Sequence, residues 1–149
     1  MDRGSLVAEA LERVQADLDR QSAEGRVEQV NGPVVDASFT GRLPAIGNLL
    51  RVGDADTGVA VEAVELLGEG LLRTIALQTT DGMSRGAKVF DTGKPISVPV
   101  GPSTMGRVFN VLGEPVDKRG AVSAAVYHSV RREPLAYSEV RTYPEVLET

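Results

Sequence analysis

The sequence predicts a mainly β fold: a small closed barrel, preceded by an N-terminal amphipathic helix and followed by a short helix plus an irregular tail. Three observations carry this. Apolar and polar residues alternate with a period of two in short runs, clearest at Val35, Ala37 and Phe39 against Asp36 and Ser38. Clusters of Gly, Asp, Asn and Pro punctuate residues 25–100 as turn signals. Clear helical spacing of apolar residues recurs in two segments only, one near each end of the barrel region. Short strands joined by Gly-rich turns favour closure, because a barrel leaves no unpaired strand edge.

The first element is a helix from Ser5 to Gln21. Val7, Leu11, Val14 and Leu18 fall on one face, Ser5 suits the N-cap and Gly25 is a natural stop. One apolar stripe fits packing on its own domain or docking on a partner subunit. In the barrel region, Asn31-Gly32-Pro33 marks a turn ahead of the Val35 strand. Val59 to Leu67 has a helix-like content of Ala, Glu and Leu, yet Val59, Val61 and Ala63 alternate, and strand is the preferred reading. Gly68-Glu69-Gly70 then reads as a hairpin turn. Leu71, Ile75 and Leu77 alternate with Leu72, Thr74 and Ala76 less cleanly. Further turns are expected at 54–58, 81–82 and 91–95. Past Gly101, Pro102 suits a first helical position, and Met105, Val108, Phe109 and Leu112 follow helical spacing up to Gly113. Asp117-Lys118-Arg119-Gly120 reads as a turn, and no strong period reappears after it. The organisation is therefore residues 1–24, 25–100 and 101–149.

Composition excludes several function classes. The 149 residues are 42% hydrophobic and 25% charged, which suits a folded domain rather than a disordered tail. A net charge of −5 and 4% aromatics support neither phosphate-backbone binding nor base stacking, so no nucleic-acid partner is expected. With no cysteine there is no disulfide, thiolate metal site or cysteine nucleophile. The longest uncharged stretches, such as Pro95 to Gly106 with Lys94 just before it, are too short and too broken for direct membrane insertion. Asp2, Arg3, Glu9 and Glu12 interrupt any signal-peptide core.

No complete active site emerges. Gly101 to Val108 has the glycine spacing of a P-loop, but Arg107 and Val108 stand where that motif needs Lys and Ser or Thr, and Pro102 lacks an N–H for phosphate. The segment reads as a capped helix start. His128 is the single histidine and has no nucleophile signature around it, so it reads as a hydrogen-bonding residue. Asp54 and Asp56 are too few oxygens for a calcium loop and read as a solvated turn. Arg131-Arg132 could meet an acidic partner or balance Glu133 and Glu139, and the second is preferred. No residue is expected to be catalytic, cofactor-binding or metal-ligating.

Thr80-Asp81-Gly82, Arg85-Gly86, Val89, Asp91-Thr92-Gly93, Pro95 through Gly101, and Gly106 through Asp117 occur in this order. Together they closely resemble the beta subunit of F-type (rotary) ATP synthase. Gly25-Arg26-Val27, Gly32 to Asp36 and Leu43 to Ile46 resemble its opening strands. Ser129 to Pro134 and Glu145 to Thr149 resemble its approach to the nucleotide domain. The resemblance covers about residues 25–149. It implies a six-stranded barrel, with 101–149 the start of a nucleotide-binding domain. It also implies a hexamer with ATP synthase alpha subunits and other rotary subunits, on the cytoplasmic side of a bacterial inner membrane or the equivalent organellar face. The full-length family binds MgATP or MgADP and makes ATP. Its P-loop, general-base carboxylate and adenine-packing aromatics lie beyond Thr149, so the chain is expected to be a truncated N-terminal part, inactive alone. Arg131 stands where the family usually has His. The 5–21 helix is longer than most beta subunits carry and looks more like the alpha subunit's N-terminal helix, which contacts the peripheral stalk. That helix also keeps open a stand-alone interaction module of the same fold.

Overall fold

A computed structural model of the chain describes residues 24–123, 126–134, 136–140, 143 and 146. The 5–21 helix and most of the 145–149 stretch lie outside the described residues. The chain divides into two compact units, residues 1–94 and 95–149.

The first unit is a closed six-stranded antiparallel barrel, as the sequence and its resemblance imply. Its strands are β1 (Glu24–Asn31), β2 (Val34–Phe39), β3 (Asn48–Val52), β4 (Val59–Gly68), β5 (Leu71–Ala76) and β6 (Lys88–Pro95). They run around the barrel in the order β1-β2-β5-β4-β3-β6, and β6 closes on β1 through Glu24↔Phe90, Gly25↔Val89 and Arg26↔Lys88. Period-two patterning sets the faces. Val35, Ala37 and Phe39 turn inward from β2 and meet Val27, Leu50, Val61, Ala63, Leu72 and Val89 in one buried core. The uneven alternation in β5 resolves with Leu72 and Thr74 inward and Ile75 outward. Thr74 is the buried polar residue of this interior, and its hydroxyl donates to the Val35 carbonyl at 2.8 Å, which removes the penalty of burying it.

Val59–Gly68 is a strand, and the hairpin to β5 turns through Gly68, Glu69 and Gly70, all at positive φ (90°, 51° and 79°). Pairing shifts between Ala63 and Glu65, and again between Leu66 and Gly68. Such bulges bend a strand and help a small barrel close. Gly25 has a packing role: a Cβ there would lie 2.6 Å from the Phe39 ring.

The second unit holds a two-stranded antiparallel sheet of β7 (Ser97–Val100) and β8 (Val126–Ser129). β8 lies in the segment where the sequence shows no period. The helix expected from Pro102 through Leu112 is absent; only a 3-10 turn at Pro102–Thr104 forms. Gly106 at φ 64° breaks the helical path, and the Arg107 side chain is drawn to Asp117 instead. Asn110 then ends any helical continuation, because its side-chain oxygen accepts the amides of Leu112 and Glu114. Phe109 forms a bridge with Pro115, so the segment folds back as a tight loop.

Candidate functional site

The residues singled out from the sequence do not converge on a catalytic centre. In the Gly101–Val108 loop, the amides of Thr104, Met105 and Arg107 are already donated to Gly101, Pro102 and Thr104 carbonyls. They are therefore not arranged to cradle a phosphate. The Arg107 guanidinium is committed to Asp117. The loop does not fit a nucleotide phosphate. Asp54 closes its turn by accepting from the Asp56 and Thr57 amides and the Thr57 hydroxyl, and the Thr57 amide foremost lowers its pKa. His128 Nδ1 lies 2.8 Å from Arg132 Nη1, a hydrogen-bonding role. Among the described residues no group of His, Asp and Glu could hold a metal ion, and no helix is long and apolar enough to cross a membrane.

The spacing of single motifs did not reveal the clasp that orders the second unit. Arg107 binds Asp117 through two bonds of 2.5 and 3.0 Å, and its Nη2 also donates to the Gly120 carbonyl. Asp117 further accepts the Arg119 and Val108 amides, while Arg119 reaches back to the Gly106 carbonyl. Hydrogen bonding to Arg107 is the largest cause that holds the Asp117 carboxyl far below the usual carboxylate range. Both side chains are largely buried. Beside this loop runs an open cleft of about 620 Å³, whose lining includes Pro99, Leu112, Pro115 and Tyr127.

The outside of the barrel carries ion pairs across neighbouring strands. Arg73 on β5 donates from Nε and Nη2 to the two Asp36 oxygens on β2 at 2.9 and 3.0 Å, and lies 3.8 Å from Glu65 on β4. Asp36 raises the Arg73 pKa further. Glu28 accepts from Ser38 and Arg85, with Ser38 the larger cause of its lowered pKa. Lys88 pairs with Glu24 where β6 meets β1. These pairs are solvent-exposed in part and contribute little stability each.

Residues 27–93 match the family model described as ATP synthase alpha/beta family, beta-barrel domain. The barrel is of the ATP synthase alpha/beta N-terminal type. The match runs from β1 into β6, so it spans the six strands that close the barrel. For an alpha/beta-type barrel, side-chain recognition on the outer surface is the chemistry available: the interior is filled by packed side chains, and the closed sheet offers no edge. The matched family is that of ATP synthase alpha and beta subunits.

Proposed function

We propose that this chain supplies the barrel that ties subunits together in the alpha–beta hexamer of a rotary ATP synthase, as the N-terminal part of an F-type beta subunit. One observation carries the reading: the alpha/beta-type barrel is followed, in order, by the beta-subunit wording from Pro95 to Gly101 and from Gly106 to Asp117. In this reading residues 1–24 are a helical extension and residues 101–149 the start of a nucleotide-binding domain. The partners are alpha subunits. The complex sits on the cytoplasmic face of a bacterial inner membrane or the equivalent organellar face. MgATP and MgADP belong to the full-length family, which makes ATP from ADP and phosphate on a transmembrane ion gradient. No residue described above is assigned to catalysis, nucleotide binding or metal binding.

Two measurements test this. Mixing the purified chain with alpha-type subunits is expected to give a complex of defined mass by light scattering; no complex would overturn the assembly role. Calorimetric titration with MgATP is expected to give no binding heat. A micromolar affinity would overturn the placement of the nucleotide site.

A further inference from the structure

We propose that Asn31-Gly32, at the tip of the β1–β2 hairpin, is a site of spontaneous covalent modification, where the asparagine loses ammonia and becomes isoaspartate or aspartate. The inference is independent of the assembly reading above. The chain has three asparagines, and the structure sets one of them apart. Asn48 is half-buried, its carboxamide donates to both Asp91 oxygens at 3.0 and 3.2 Å, and Leu49 follows it. Asn110 is half-buried, donates to Glu114 at 2.8 Å, accepts the Leu112 and Glu114 amides, and precedes Val111. Asn31 is exposed, its carboxamide has no hydrogen-bond partner among the described residues, and a glycine follows it.

The reaction needs an uncommitted carboxamide and an unhindered backbone nitrogen just after it. Gly32 supplies the nitrogen. It has no Cβ to block the approach, and its N–H makes no hydrogen bond among the described residues. The turn is anchored through carbonyls instead. Gly32 accepts from the Thr80 hydroxyl at 3.0 Å, and Pro33 accepts from the Ala76 amide at 2.7 Å. Gly32 at φ 57° ahead of Pro33 has the order of a two-residue II′ hairpin, with Asn31 paired to Val34. The Gly32 nitrogen attacks Asn31 Cγ. A new N–Cγ bond forms, the Cγ–Nδ2 bond breaks, and ammonia leaves with the Gly32 proton. Water then opens the cyclic imide. Opening at Cγ leaves aspartate; opening at the backbone carbonyl leaves isoaspartate, whose main chain is longer by one methylene. Asn31 must leave its extended strand conformation for the ring to close, so fraying at the end of β1 gates the rate. Either product adds a carboxylate at the tip, and the extra methylene of isoaspartate disturbs the register with Val34.

The test ages the full chain at physiological pH and temperature and follows its tryptic peptides by mass spectrometry. Cleavage at Arg42, Arg51 and Arg107 puts the three asparagines on separate peptides. Asn31 is expected to convert about tenfold faster than Asn48 or Asn110, with isoaspartate among its products. Gly32→Ala sets a Cβ beside the nitrogen, in open space, and is expected to slow conversion about tenfold. Asn31→Gln is expected to leave position 31 unmodified over the same period. The comparison among wild-type peptides stands whatever the fold of G32A. Conversion at Asn31 no faster than at Asn48 and Asn110 in the folded chain, with rapid conversion in urea, would show that the hairpin protects the site and overturns the proposal. An undiminished rate in G32A overturns the role of the Gly32 nitrogen.

Discussion

Asp117 is the residue on which the order of the second unit depends. It collects the Arg107 guanidinium and the Val108 and Arg119 amides on one carboxylate. Its folded pKa is depressed, chiefly by the bond from Arg107. The unfolded chain binds its proton near pH 4. The clasp therefore contributes its full stability above that pH and loses it progressively as pH falls below. Acid titration of the unit's denaturation midpoint is expected to show this decline, and D117N to flatten it while lowering the midpoint at neutral pH. An unchanged acid slope in D117N would remove Asp117 as its source. Nothing in the local spacing announced this pair. Arg107 and Asp117 are ten residues apart, on no common period, and the apolar spacing of Met105, Val108, Phe109 and Leu112 pointed to a helix instead. Met105 and Val108 are in fact exposed. A buried ion pair and a glycine at positive φ outweighed the weak preference of an apolar stripe.

At the scale of elements, legibility followed the range of the interactions. The β2 strand and the β4–β5 hairpin were readable because alternation and turn chemistry are local. β8 was not, because Val126–Ser129 becomes a strand only by pairing with Ser97–Val100, about thirty residues upstream. Leu66 and Leu67 lie beyond the first register shift of β4 and are exposed, a placement the alternation of Val59, Val61 and Ala63 does not reach. The hairpin supplies its own test. Gly70 and Gly82 both have φ near 80°, so alanine at either costs about 1–2 kcal/mol for the left-handed backbone. A Cβ at Gly70 would also meet the Phe39 carbonyl at 2.7 Å, whereas at Gly82 it meets open space. G70A is expected to destabilise the barrel more than G82A in urea unfolding. Equal losses would show that the tip yields at no cost and is not pinned to β2.

Across the whole molecule, the two units differ in what holds them. The barrel buries an apolar cluster drawn from all six strands. In the second unit, Ile96 and Pro99 are the buried residues among those described, and order rests on a four-residue ladder and the polar clasp. Local stability tracks buried apolar contact, so the second unit should open at lower denaturant than the barrel. The sequence provides selective probes. All three tyrosines, Tyr127, Tyr137 and Tyr143, lie in the second unit, and there is no tryptophan to mask them. Tyrosine fluorescence is therefore expected to change at lower urea than the exchange protection of Val35, Ala37 and Thr74 amides in the barrel. L72A removes a fully buried side chain and should lower barrel stability by about 2–5 kcal/mol. The tyrosine transition should stay in place. If both probes instead move together in L72A, the chain unfolds as one cooperative body, and the barrel core sets the stability of the second unit as well.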